Sequence, residues 1–579
     1  MLDSIYPHKE FDPEWTELEY SRGGARDDLG IETLSESILA DLLPGINNQT
    51  RRARYYSFWA WVLRDFILDS DATHTQQNFY EWLRKRESTL ILANLSHGCE
   101  GGAAGTTIGG RYWKDGIPKT YPIGWKSLES VNGGAYELYY RGVLLETNVI
   151  NRNEEDPHDN LTNEIGLPLA EAYQNAVINT NFISHYLDAS QLRKDDIEEY
   201  SENGCLCQVK KNEVERQALI NALFRYDTPD VFAVKRLATL CLFLDLINQS
   251  SKNPLSAYQF RAALYFWVFE NHQAYIPEGN LINPAQRWRI FQLRQYFVFA
   301  IESLWSLFLN RVQGSILSEE EYIEWLLSEF DFNALVQEFD LDVPTTDPSQ
   351  ITLLAFFQSI QKAVSLDASL SDNGGLEIPL NEYALSEYIR RERSKTDVNV
   401  YFGKGLLMLA IIYWRCQPWQ ELPGWRYVSD AYAADRMPLD SFLRHVTDAI
   451  DQNWTLKQWT TWFHCRYLWL QHRRVTLEKL IARQSKQETS KFEIVYNESD
   501  ATPLFKGIDV DSPKMNAPRF PSAISILIDL GLVEKEENAY WLTPDGIDLL
   551  NQFSSYTLPE WKEPESDETD LDSEESTSG

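Results

Sequence analysis

Residues 524–550 read ISILIDLGLVEKEENAYWLTPDGIDLL, and the spacing of residues in this stretch sets the reading of the chain. An apolar helix, expected from Phe520 to Leu530 just after Arg519, stops at Gly531. Glycine at that position can close a helix in a left-handed conformation that disfavours residues with a side chain. Leu532 and Val533 then begin a strand, and Lys535 to Asn538 (KEEN) form a polar hairpin tip. Thr543 caps the next helix, with Pro544 at its first position. An earlier stretch, residues 136–173, reads YELYYRGVLLETNVINRNEEDPHDNLTNEIGLPLAEAY and repeats this order. Its anchors are Gly142, Leu144, Leu145, Glu146, Leu161, Thr162 and Gly166, against Gly531, Leu532, Val533, Glu534, Leu542, Thr543 and Gly546 in the later copy. On this alignment Gly142 ends a helix and the apolar run after it is a strand.

Both stretches resemble the helix, wing hairpin and following helix of winged-helix domains, over roughly residues 110–172 and 505–552. Between them lies a series of amphipathic segments: Glu213 to Phe224, Pro229 to Leu246, Leu255 to Phe269, Arg287 to Leu309, Glu319 to Phe332, Ile351 to Val364, Glu382 to Arg393 and Tyr401 to Tyr413. A long helix from about Thr455 to Arg483 follows. The spacing keeps no fixed period, so these segments form a bundle or array rather than a solenoid. The expected fold is mainly α: a large helical body with two candidate winged-helix modules and small wing hairpins. Its divisions are a helical region over 1–100, the glycine-rich loop and first module over 101–175, the helical body over 176–400 and 401–490, the second module over 491–556, and an acidic disordered tail over 557–579.

The chain has 579 residues, with 53 Lys and Arg against 86 Asp and Glu, a formal net charge of -33. Such a charge repels DNA and anionic membrane unless a local basic patch intervenes. The apolar runs Tyr296 to Leu309 and Gly405 to Trp414 fall short of the roughly 20 residues a membrane helix needs. The first fifteen residues lack both the basic flank and the apolar run of a secretory signal, so a cytoplasmic location with no membrane partner is expected. The basic positions that could face phosphate or a partner are Arg51, Arg52 and Arg54 near the start of one helix, Arg473 and Arg474 on the long helix, and Arg519 and Lys535 in the second module. The recognition-position helix opens with Phe520, Pro521, Ser522 and Ala523, and Glu534, Glu536 and Glu537 surround Lys535. Base readout wants exposed Arg, Lys, Asn or Gln there, so this surface fits protein docking better than DNA.

No catalytic constellation emerges, and no catalytic, cofactor or metal residue is assigned. The GGAAGTTIGG stretch from Gly101 to Gly110 lacks the Lys and Ser or Thr of a phosphate-binding loop. Cys205 and Cys207 make one C-x-C pair, which without a second pair is half a metal site. Cys99, Cys241, Cys416 and Cys465 stand apart in sequence. The Gln208, Lys210, Glu213 and Glu215 group only faintly echoes a metal-dependent nuclease. The two module-like segments and the composition resemble winged-helix accessory subunits of bacterial SMC-type and Lamassu-like DNA-defence complexes. That resemblance implies a non-catalytic adaptor without cofactor, whose partners are an SMC-like ATPase and a nuclease effector and which meets DNA indirectly or through local basic patches. A winged-helix DNA-binding regulator and an enzyme of another kind are the competing readings.

Overall fold

The computed structural model describes residues 27–562, apart from 70–73, 100–103, 114–118, 130, 154, 227, 251–254, 256, 270–272, 365–379, 434–435, 483–491, 497–502, 508–511 and 537–538. The fold is mainly helical, and its few strands make small sheets of two or three. At its centre runs the helix Ile282–Val312, 31 residues long and buried along nearly its whole length. This burial explains the sequence RQYFVFAIESLWSLF, which is apolar on every side: a helix without a polar face belongs inside. The helices Ile31–Leu42, Ala257–Phe266, Glu382–Arg391 and Gly405–Trp419 pack around it. Several of its polar groups are bonded to other elements. Arg294 donates to the carbonyls of Met437 (2.9 Å) and Arg436 (2.6 Å), and Glu302 accepts from the Lys514 N–H at 2.7 Å. Among the described residues no helix is long and apolar enough to cross a membrane.

The long helix expected from Thr455 starts there, with Thr455 and Gln458 forming a reciprocal capping box. It passes through a π-helical segment, His464–Leu470, before continuing as Gln471–Ala482. One three-stranded sheet falls outside the sequence expectation. Pro503–Gly507 lies between Phe492–Tyr496 and Ile316–Ser318, with Phe505 opposite both Ile494 and Leu317. Phe505 packs on Phe308 of the central helix and on Trp469, which fixes the sheet to the core. At the other end Trp561 is buried against Tyr427, with the Arg287 guanidinium 5.0 Å from its ring, so ordered packing reaches into the segment read as tail. Residues 563–579 of that tail lie outside the described residues.

Two helix–hairpin–helix units carry the same backbone closure. In the later unit the helix Phe520–Asp529 ends at Gly531 (φ 68°), whose N–H reaches the Ile528 carbonyl while Leu532 N–H reaches Leu527. Strands Val533–Glu536 and Ala539–Leu542 form the hairpin, and Thr543 caps the helix Pro544–Ser555. In the earlier unit a π-helical turn, Tyr136–Tyr140, continues as the helix Arg141–Glu146. There Asn148 (φ 60°) occupies the left-handed position, its N–H bonded to Leu145 and that of Val149 to Leu144. The hairpin pairs Ile150 with Leu161, as Val533 pairs with Leu542. Thr162 and Thr543 then play one part: each hydroxyl donates at 2.7 Å to the carbonyl of the left-handed residue and accepts from the N–H of Gly166 or Gly546.

This equivalence corrects the sequence alignment. Gly142, Leu144, Leu145 and Glu146 are helical, and the strand begins at Ile150. Gly142 lies exposed with nothing near the position of a Cβ, so it is an ordinary helical residue. Asparagine tolerates the left-handed region better than other residues with side chains, which lets Asn148 stand where the later unit has glycine. The anchors Gly166 and Gly546 hold for a steric reason. A Cβ at either would strike the carbonyl oxygen of Val149 or Leu532, at the first residue past the turn.

Candidate functional site

The chain that precedes the helix Arg54–Leu68 touches both units, and Asn47 donates to the Tyr139 carbonyl of the earlier one at 3.1 Å. Arg52 grips Asp529 at the end of the Phe520–Asp529 helix through Nε (2.8 Å) and Nη2 (3.0 Å). The same carboxylate accepts the Ala53 N–H at 3.1 Å, so a residue remote in sequence caps the start of the Arg54–Leu68 helix. Arg54, fully buried, pairs through two bonds with Glu215 and donates to the Cys205 carbonyl at 2.7 Å. Arg519 stands at a left-handed backbone position (φ 52°) before its helix and sends its guanidinium to the carbonyls of Leu43 and Ile46. Arg216 caps the end of the same helix by donating to the Leu530 carbonyl at 2.7 Å.

These contacts revise the basic surface expected from sequence. Arg52, Arg54 and Arg519 are buried and committed to internal carboxylates and carbonyls, so none of them faces a phosphate or a partner. Arg51, Arg473, Arg474 and Lys535 are exposed and lie on separate elements. Arg474 shares Glu478 with Arg436. Whether an arginine points in or out depends here on acids such as Glu215 and Asp529 far along the chain, which local sequence does not reveal.

The outward faces of the two units are mainly apolar and acidic, with Lys535 and Arg152 among their exposed residues. In the later unit Phe520, Ile524, Ile526 and Leu527 are buried, and Phe520 stacks on Phe260 at 4.1 Å, so the recognition-position helix presents no groove-reading face. Its hairpin shows Glu534, Lys535 and Glu536 to solvent, with Trp541 and Ile547 partly exposed beside them; Glu537 lies outside the described residues. The earlier unit exposes Glu137, Leu138 and Gly142. A shallow groove opens between the start of the Gly166–Val177 helix and the helix Glu213–Leu223, floored by Ile165, Pro168 and Ala218 and edged by Glu164 and Glu213. The described part of the glycine-rich stretch folds as a short helix, Thr106–Tyr112, and the Ala104 N–H ahead of it donates to the Tyr55 hydroxyl.

Beside the Arg52–Asp529 contact lies a group of soft ligands that sequence reading did not assemble. His97 caps the helix Gln76–Ser96, Cys205 follows the helix Lys194–Gly204, and Cys207 sits in the 3-10 turn Leu206–Lys211. The ligand atoms of these three residues lie within 4.8 Å of one another. Cys207 Sγ is 3.4 Å from both Cys205 Sγ and His97 Nδ1. The Cys99 thiol, to which Arg52 donates at 3.4 Å, lies beside this trio and interacts with the thiols of Cys205 and Cys207, but it falls outside the set of atoms within 4.8 Å of one another. Those thiol interactions, with the guanidinium behind them, hold Cys99 well below the ordinary thiol range, while the Cys207 and Cys99 thiols push Cys205 up. The signal was present in sequence as a second short pair, His97-x-Cys99, but that pair is separated from Cys205-x-Cys207 by more than a hundred residues. Of the group that faintly echoed a nuclease, Glu215 is bound to Arg54 and the Gln208 amide meets His97, so neither faces an open site. His464 and His472 bond separately to backbone carbonyls, of Thr460 and Asp28. Comparison of the chain with protein-family models, with curated proteins and with solved structures gives no match.

Proposed function

We propose that the protein is a non-catalytic adaptor or scaffold subunit of a cytoplasmic DNA-maintenance or anti-phage or anti-plasmid complex, docking an ATPase of SMC type and a nuclease effector. The observation that carries this reading is the character of the outward faces. Two units of winged-helix order turn mostly apolar and acidic side chains outward, Glu137 and Leu138 in one and Glu534, Glu536, Trp541 and Ile547 in the other, with Arg152 and Lys535 exposed among them. Partly exposed aromatic and aliphatic residues edged by acids suit a protein partner, whereas phosphate needs cations. Affinity purification from the native cell at moderate salt, with the mass ratio of stable partners measured, tests it. Co-purification of an ATPase and a nuclease at fixed stoichiometry is the expected result. Recovery of a lone monomer or homodimer would overturn it. The second reading, a DNA-binding winged-helix regulator, draws on the exposed Arg51, Arg473 and Arg474 and requires salt-sensitive binding of duplex DNA.

A further inference from the structure

We propose that His97, Cys99, Cys205 and Cys207 hold one zinc ion in a closed, structural site. The inference stands on the packing of His97, Cys205 and Cys207, with Cys99 beside them, and does not depend on the adaptor reading. Zinc bound by thiolates at about 2.3 Å and imidazole at about 2.0 Å in a tetrahedron holds its ligand atoms roughly 3.5–3.8 Å apart. The Cys207–Cys205 and Cys207–His97 separations, both 3.4 Å, are within a few tenths of an ångström of that geometry. The Cys99 thiol, held beside the trio by Arg52 but outside its 4.8 Å spacing, would close on the ion as the fourth ligand. Both pairs sit at helix ends rather than on long loops. The Cys99 N–H is bonded to the Asn94 carbonyl at 3.2 Å, Cys205 N–H to Ser201 at 3.2 Å, and Gly98 turns the chain between His97 and Cys99 with φ 63°.

The surroundings suit the ion as well. The Gln208 carboxamide lies 2.8 Å from His97 Nε2, the ring atom away from the thiols. With Nδ1 on zinc, Nε2 carries the proton and the carboxamide turned to present its oxygen accepts it, the kind of outer partner that orients a ligating histidine. Three thiolates and a divalent cation leave one net negative charge, and the Arg52 guanidinium against Cys99 balances it. Loading releases the thiol protons to solvent, and the Cys205 thiol exchanges its bond to Asn94 Oδ1 (3.2 Å) for a bond to the ion. Three sulfur donors with imidazole favour zinc over magnesium or calcium, and four protein ligands leave no position for water or substrate. The site would pin the end of the Gln76–Ser96 helix to the end of Lys194–Gly204. Through Arg52 and Asp529 it would also brace the junction with the later unit.

The test uses the full chain, purified without a metal-chelate column or added metal. Elemental analysis should find one zinc per chain, and zinc-edge X-ray absorption should report three sulfur and one nitrogen neighbours. The Cys205→Ser, Cys207→Ser double variant should lose at least about tenfold in bound zinc, while Cys241→Ser, Cys416→Ser, at buried cysteines outside the cluster, should keep it. Should the first variant fail to fold, the absorption spectrum of the unaltered protein decides. Absence of stoichiometric metal, iron in place of zinc, a coordination shell without sulfur, or full zinc retention in the Cys205→Ser, Cys207→Ser protein would each overturn the proposal.

Discussion

If the left-handed Asn148, and not Gly142, is the counterpart of Gly531, three glycine-to-alanine changes must behave in opposite ways. Gly142→Ala adds a methyl group to an exposed helical position with nothing near it, and alanine is favoured over glycine inside a helix by about 0.5–1 kcal/mol. Gly166→Ala and Gly546→Ala drive a methyl into the carbonyl of Val149 or Leu532, backbone that is itself locked in the hairpin closure. Neither neighbour is a flexible side-chain end, so the upper part of the usual overpacking range applies, about 2–3 kcal/mol. Global melting is a poor readout. Unfolding entropy of about 2 cal/mol/K per residue over a chain of this length means that 1 kcal/mol moves the midpoint by only about 1 °C. Hydrogen exchange followed by mass spectrometry on peptides spanning each closure reads the local opening instead. A loss of about 2 kcal/mol corresponds to roughly 30-fold faster exchange in the altered unit. Gly142→Ala should leave exchange unchanged or slower, and Asn148→Gly should be tolerated where Asn148→Ala speeds it. Comparable acceleration in Gly142→Ala and Gly166→Ala would restore the alignment on Gly142 and refute the structural equivalence of the two units.

Removing one partner of the buried Arg52–Asp529 pair should be far worse than replacing both. Asp529→Ala strands the guanidinium and the Ala53 N–H, a loss of about 3–5 kcal/mol, whereas Arg52→Met with Asp529→Leu should recover most of it in urea unfolding; strict additivity of the single changes would sink this account. Glu87 is buried, accepts from Ser127 and from the Ala135 N–H, and burial pushes its carboxyl from 4.5 up to about 7. Because the folded value is the higher one, its contribution is fully present below about pH 4.5 and disappears as pH rises through 7, amounting to about 3 kcal/mol. Glu87→Gln should flatten the fall in denaturation midpoint between pH 5 and pH 8 (roughly the span of that titration), and an unchanged pH slope would count against it. Should the chain bind duplex DNA alone, the four exposed candidate cations Arg51, Arg473, Arg474 and Lys535 limit the salt dependence to a logarithmic slope of about -4; a markedly steeper slope in a filter-binding titration would reveal a basic surface elsewhere.

What could be read from sequence followed how locally each feature is determined. Thr543 with Pro544 marks a helix start by itself, and the structure puts the cap there; Thr455 with Gln458 is similar. Gly531 was legible because the residue type states the backbone angle. Asn148 was not, since asparagine is common in turns and loops, and Gly142 six residues earlier attracted the alignment. Thr50 closes a turn with Asn47, and the helix Arg54–Leu68 begins after it under the carboxylate of Asp529. That partner lies hundreds of residues away. The Cys and His cluster was hidden for the same reason: each half keeps a one-residue spacing that is visible, but only the packing of Gln76–Ser96 against Lys194–Gly204 joins the halves.

The interior use of arginine also explains how an acidic chain can carry basic clusters that do not all reach the surface. Arg52 and Arg54 lie in the densest basic run near the start of the chain, yet one is held by Asp529 and the other by Glu215. Arg236 donates to the carbonyls of Ala222, Leu223 and Glu146, capping the ends of two helices, including the helix that leads into the earlier hairpin. Arg216 does the same for the helix that leads into the later one. A guanidinium is suited to this work because its planar fork of donors satisfies several carbonyls or both oxygens of a carboxylate while keeping its charge. Each of these arginines therefore joins segments distant in sequence, and each is lost to the surface by doing so. The two hairpin units are held in place by cations pointing inward, and what their hairpins show outside is mainly acids and apolar side chains, with Lys535 and Arg152 among them.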